Sequence, residues 1–208
     1  MDTRIAAPDD VDAITTTIAL AFRDDPVWGP ALTAPDGTAD HLEAFWRFFV
    51  EGALPHGSVF LQEGPAGEAA TVAVWIPPGV DELTDEQETQ VDALMERTLT
   101  PERFAAYQRL WELFEQSHPH AAPHMYLSLL ATHPEHRGRG IGQRLLAETL
   151  ERFDAEGLPA YLESTNPAND HRYERAGFRA VGGFRAVLDG AVVTTMWRDA
   201  RGIGATGR

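Results

Sequence analysis

Between Met125 and Phe153 an apolar strand, a basic glycine loop and a helix follow one another directly, and no other stretch restricts the fold as much. Met125-Tyr-Leu-Ser-Leu-Leu-Ala131 has strand length, and Pro134, which cannot donate to a ladder, ends it. Arg137-Gly-Arg-Gly-Ile-Gly142 comes next. Ile141, Leu145, Leu146, Leu150 and Phe153 then recur at helical spacing, with Gln143, Arg144, Glu148, Glu151 and Arg152 on the other face. A glycine loop that feeds a helix leaves several backbone N–H groups unpaired at the positive end of the helix dipole. The sequence therefore predicts an anion site, most naturally for phosphate.

Spacing narrows the ligand. A Walker loop needs Gly-Lys-Ser/Thr, which is absent, and a dinucleotide fingerprint fails because Gln143 stands where its third glycine belongs. What remains is Arg137-x-x-Gly140-x-Gly142 directly after a strand. For these six residues alone, an ordinary strand-to-helix turn with incidental arginines is the competing reading. The pattern resembles the acetyl-CoA pyrophosphate loop of the GNAT N-acetyltransferase superfamily, Gln/Arg-x-x-Gly-x-Gly/Ala.

The 208 residues fit one large domain with a substantial core. With no cysteine, disulfides, thiolate metal sites and a cysteine nucleophile are all excluded. The first ten residues lack the basic-then-apolar pattern of a leader, and no apolar run reaches membrane-spanning length, so a cytoplasmic location is the expectation. A net charge of −15, from 32 acidic and 17 basic residues, opposes binding to nucleic acid and to anionic lipid. Against that field, Arg137, Arg139 and Arg144 gather around the loop, as service to an anionic ligand requires.

In chain order, a short strand near residues 3–6 precedes a helix from Pro8 to Phe22, whose apolar face is Val11, Ile14, Ile18 and Phe22. Residues 26–40 read as loop, and His41 to Gly52 as an aromatic helix. Strands over 58–63 and 71–76 form a hairpin around Gly64-Pro-Ala-Gly67. Helices follow over 84–99 and 102–117. His118, His120 and His124 sit in a proline-broken link, where incidental loop histidines are a better reading than a metal site. Ala160 to Thr165 is a strand, parallel to the Met125 strand across the crossover helix. A short helix then runs to Gly177, and strands over 181–188 and 192–198 form a hairpin around Asp189-Gly190. The tail from residue 200 is expected to fray.

Tyr173-Glu-Arg-Ala-Gly-Phe178 is similar to the GNAT element Tyr-Glu-x-x-Gly-Phe, in the right order behind the loop. With Leu162-Glu-Ser and Asn169, it looks most like the puromycin N-acetyltransferase branch, whereas Asn166 fits the spacing of ribosomal-protein acetyltransferases. Both asparagines are kept, with Asn169 favoured. The resemblance covers residues 58–199 well and the first 57 loosely. It implies an α/β GNAT fold over residues 1–199, a mixed, mostly antiparallel sheet with one parallel βαβ pair splayed to hold acetyl-CoA and helices on both faces. Residues 1–57 and 80–120 would be substrate-side helices and 125–178 the acetyl-CoA core.

The same resemblance supplies roles. The pantetheine arm would pair with the backbone of Leu130, Ala131 and Thr132. The pyrophosphate would rest on Gly138, Gly140, Ile141 and Gly142, aided by Arg137 and Arg139. Direct attack needs an acceptor for the amine's proton, for which Glu163 is the candidate, although a structural glutamate is an equal reading for one strand carboxylate. Some family members carry that base on the strand before the loop, where this chain offers only Tyr126 and Ser128. Tyr173 is placed to protonate the departing thiolate. The expected acceptor is a small-molecule amine, with no metal; a protein amine or a non-catalytic CoA sensor are the rivals. A homodimer is in keeping with the family.

Overall fold

The computed structural model describes residues 2–202. Strand β1 (Thr3–Ile5) leads through a 3-10 turn into α1 (Val11–Phe22), followed by α2 (Trp28–Leu32) and α3 (Leu42–Ala53). The hairpin of β2 (Val59–Glu63) and β3 (Ala69–Ile76) precedes α4 (Asp85–Thr98) and α5 (Pro101–Ser117). Next come β4 (Met125–Thr132), α6 (Ile141–Glu156), β5 (Ala160–Ser164), α7 (Asp170–Arg175), β6 (Arg179–Arg185) and β7 (Val192–Arg198). Beyond residue 202, the tail expected to fray lies outside the described residues. Among the described residues no helix is long and apolar enough to cross a membrane.

Among the described residues seven strands form one sheet in the order β1-β2-β3-β4-β5-β7-β6, in which only β4 and β5 run parallel. This is the mixed, mostly antiparallel sheet with one parallel βαβ pair that the resemblance implies. β3 is buried along all eight residues because helices cover both faces of the sheet's centre. On one face, Ile14 and Ile18 of α1 and Phe45, Trp46 and Phe49 of α3 pack against Val72, Val74 and Leu129. On the other, Leu145, Leu146, Leu150 and Phe153 of α6 cover Trp75, Leu127 and Leu162. Each such side chain, fully buried, contributes about 1.5–3 kcal/mol. The aromatic stripe of α3 is therefore core.

Three boundaries differ from the sequence reading. Residues 28–32 are helical, since Pro30 falls in the first turn, where a missing N–H costs nothing. β3 starts at Ala69. The last hairpin closes with Ala186 N–H donating to the Ala191 carbonyl at 2.8 Å, so β6 ends at Arg185 and the turn is wider than a two-residue Asp-Gly loop.

The feature that makes the site is a divergence of strands. β4 and β5 pair only at Met125–Ala160 and Tyr126–Tyr161. Val74 lies opposite Leu129 and Trp75 opposite Leu127, so Ser128 is the extra residue of a β-bulge two residues beyond the last parallel pair. Beyond it β5 follows β7, with Glu163 opposite Thr195, while β4 follows β3.

Candidate active site

The divergence opens a cleft of about 620 Å³. At one end is the glycine loop. Gly140 caps α6 in the left-handed region, with φ 72°, which costs other L-residues about 1–2 kcal/mol. Gly142 is needed for a different reason. A β-carbon there would lie 2.7 Å from Thr132 Oγ1, so the first turn of α6 rests directly on β4. Arg144 N–H donates to the Gly140 carbonyl at 3.0 Å, but from Gly138 to Gln143 no backbone N–H has an acceptor among the described residues. Six successive donors at a helix N-terminus make a phosphate-sized anion site.

The arginines divide. Arg137 lines the cleft and donates to the Ala21 carbonyl at 3.3 Å. Arg139 is off the lining and donates to Nδ1 of buried His136 at 3.2 Å, whose Nε2–H then faces the Glu68 carboxylate. Gly138, Gly140, Ile141 and Gly142 line the cleft, as does Gln143, which the sequence reading did not single out. Leu130 and Thr132 also line it; Ala131 is buried in the first core, its carbonyl accepting from Thr71 Oγ1 at 2.8 Å.

Asn166 and Asn169 both lie on the wall after β5. The first caps its own turn by accepting from Ala168 N–H at 3.1 Å, and the second accepts from Arg172 at 2.8 Å. Tyr173 lines the cleft beside them, edge-on to Phe178. Its hydroxyl has no hydrogen-bond partner among the described residues, and burial, then the charges of Asp25 and Asp170, push its pKa up to about 12. At neutral pH it is a phenol, a proton donor.

At the other end lies a group of acids. Glu163 lines the cleft with its side chain only 3% exposed, and among the described residues neither carboxylate oxygen has a partner in hydrogen-bond geometry, although the Tyr126 and Tyr161 hydroxyls stand close by. Such a group is costly unless something charged or protic completes it. Around it stand Tyr126, Tyr161, Glu82 and His118, the last with Nδ1 3.7 Å from Glu163 Oε1. Burial above all, with Glu163's charge adding and Ser128 and His118 opposing, raises the Glu82 carboxyl to about 7. Glu82 thus reaches Ser128 on β4 from the β3–α4 link. Asp25, at the end of α1, accepts from Val27 and Trp28 N–H at 2.9 and 3.0 Å and from Thr165 Oγ1 at 2.8 Å; burial raises its pKa even so.

Sequence reasoning missed Asp25, Glu82 and His118, since they enter from three separate helical connections and carry no motif. Of the tryptophans, only Trp28 reaches the lining, stacked on Phe114 at 5.3 Å; Trp46 and Trp75 are core. Among the described residues no group of three histidine or acidic side chains could hold a metal ion.

The cleft lies between diverging parallel strands, with free amides at one end and carboxylates at the other, and comparison with known proteins gives the fold a family. The model of the acetyltransferase (GNAT) family matches residues 73–178, just over half of the chain, so the chain belongs to that family. An acetyltransferase of Agrobacterium fabrum is 33% identical over 78 residues, which are 37% of this chain and 56% of that protein. The chain thus spans little more than half the length of this relative.

Solved structures extend the likeness to nearly the whole chain, at identities that establish the fold alone. A histone acetyltransferase HPA2-related structure from Corynebacterium glutamicum has a TM-score of 0.72 at 23% identity, covering 96% of each chain. Arylalkylamine N-acetyltransferase 2 of Aedes aegypti reaches 0.69 at 13% identity, covering 96% of this chain and 99% of its own. A Drosophila melanogaster polyamine N-acetyltransferase described as forming N-acetylagmatine reaches 0.65 at 17% identity, covering 95% and 99%.

Proposed function

We propose that this protein is an acyltransferase that moves an acetyl group from acetyl-CoA to a primary amine of a small molecule by direct attack. The observation that carries the reading is one cleft lined both by Gly138 and Gly140 to Gln143, whose backbone N–H groups have no acceptor among the described residues, and by the buried carboxylate of Glu163, whose oxygens have no hydrogen-bond partner there. The amides and Arg137 suit the pyrophosphate, and the backbone edge of β4 that β5 leaves unpaired suits the pantetheine arm. Substrate names carried by the structural neighbours, arylalkylamine and polyamine, support a small amine, as does the likeness of Leu162-Glu-Ser and Asn169 to the puromycin branch.

In this reading Glu163 accepts the proton that an ammonium must lose before it can attack. An incoming cation completes the carboxylate's electrostatics. A backbone N–H of the Leu130 to Thr132 stretch steadies the oxyanion, and Tyr173 returns a proton to the CoA thiolate. A cytoplasmic setting, where acetyl-CoA is available, and a homodimer belong to the same reading.

Calorimetric titration with acetyl-CoA, CoA and ADP comes first. Micromolar binding that weakens when the pantetheine arm is lost supports the cofactor assignment, and no binding to any of the three refutes it. Tyr173→Phe then separates catalyst from sensor. In a thiol-release assay over an amine panel, an enzyme loses turnover with its CoA affinity kept.

A further inference from the structure

The hydrogen bonds beyond Glu163 have a direction. His124 is buried, and its Nδ1 lies 2.7 Å from the Ala122 carbonyl, which can only accept; Nδ1 therefore carries a proton. In the neutral ring Nε2 is then a bare acceptor. That atom lies 3.2 Å from His118 Nε2, so His118 donates and holds its own proton at Nε2. The remaining nitrogen of His118, Nδ1, is left bare, and it faces Glu163 Oε1 at 3.7 Å. One backbone carbonyl thus sets two tautomers and leaves a vacant proton acceptor beside the orphaned carboxylate. The His118 side chain is 27% exposed, whereas that of Glu163 is 3% exposed, so the histidine reaches solvent where the glutamate does not.

We infer that His118 relays the proton collected by Glu163 out to solvent, with His124 and the Ala122 carbonyl fixing the tautomer that makes this possible. The inference rests on Glu163 being the acceptor of the amine's proton. The steps balance without a co-reactant. The ammonium N–H breaks as an O–H forms on Glu163. That O–H breaks as N–H forms at His118 Nδ1, across one bridging water or once the pair closes from 3.7 Å to hydrogen-bond distance, and the imidazolium releases a proton to water. His118 acts through Glu163 and does not touch the substrate. The titratable groups facing it are Glu163 and Tyr161 from β5, Tyr126 from β4, Glu82 from the β3–α4 link, and His120 and His124 from its own link.

Two measurements test this. Long-range proton–nitrogen NMR correlation on the unliganded protein, at a pH where both rings are neutral, reads the tautomers directly. The expected result is N–H at Nε2 of His118 and at Nδ1 of His124; a His118 protonated at Nδ1 overturns the relay whatever the acceptor amine is. In turnover, His118→Gln should lower kcat about tenfold or more, move the acid limb of the pH–rate profile and respond to added imidazole, with CoA affinity unchanged within about twofold. Wild-type kcat and pH profile in His118→Gln overturn the relay. Glu163→Gln separates the two readings. If it turns over like wild type, the assignment of Glu163 has failed and the relay with it. If it is inactive while His118→Gln is normal, the relay alone is wrong.

Discussion

Replacing Gly142 by alanine tests how closely the anion loop is tied to the sheet. The added β-carbon would lie 2.7 Å from Thr132 Oγ1, nearer than a β-carbon packs against any neighbour. Thr132 Oγ1 is bonded at 3.1 Å to Thr71 Oγ1, which also serves the Ala131 carbonyl. Relief therefore requires lifting α6 or turning Thr132 out of that bond. Overpacking costs about 1–3 kcal/mol and the lost hydrogen bond about 1 kcal/mol, against a gain of about 0.5–1 kcal/mol from alanine's helix propensity. A net loss of about 2 kcal/mol follows, a fall in Tm of about 4–8 °C for a chain this size. CoA affinity should fall about tenfold as the amides are displaced, read by calorimetry. Thr132→Ala, which removes the obstructing oxygen, should restore at least about 1 kcal/mol in the double variant, read from urea unfolding. An unchanged Tm for Gly142→Ala, or additivity within about 0.5 kcal/mol in the cycle, refutes the contact.

Other expectations follow from single contacts. Arg198, almost fully buried, grips Asp154 with two bonds of 2.8 and 2.6 Å, so Asp154→Ala should cost about 3–5 kcal/mol in urea unfolding with an unchanged m-value. Glu82, raised from its ordinary 4.5 to about 7, keeps a proton in the fold that the unfolded chain has lost. Stability should therefore fall as pH rises from about 4.5 to 7. The full difference is about 3 kcal/mol, reduced to about 1.5 kcal/mol for a partly exposed group. Glu82→Gln should flatten that slope in unfolding curves taken across the window; an unchanged slope refutes the assignment. Arg137→Ala should weaken CoA binding about tenfold and lessen its salt dependence in the same titration, leaving stability alone. A wild-type affinity would remove this arginine from the pyrophosphate.

How much of this was legible depends on how local each cause is. The loop was readable because glycine placement, strand end and helix start lie within some thirty consecutive residues. The Tyr173 segment was readable for the same reason. By contrast, Glu163 could be named but not understood, because its isolation depends on Tyr126, Tyr161, Glu82 and His118 converging from four places. His118 and His124 read as incidental loop residues, since only the fold brings their Nε2 atoms to 3.2 Å and turns one ring toward β5. Arg139 shows the opposite case. Its position in the motif pointed to the ligand, yet the buried His136–Glu68 pair holds it elsewhere. The hairpin turn slipped because Asp-Gly is a strong local signal that the Ala186–Ala191 bond overrides.

The β4–β5 divergence also bears on motion. Two residue pairs and the crossover helix are all that join β1–β4 to the ribbon of β5, β7 and β6 in sheet terms. The molecule is a sheet with a half-open seam, and an extended ligand lying along β4 would act as the missing stitch. Amide exchange along Leu127 to Thr132 and Leu162 to Ser164 should then slow together when the ligand binds, although only one strand touches it. The seam would set the opening rate of the cleft, and product departure would become a loosening of the sheet itself.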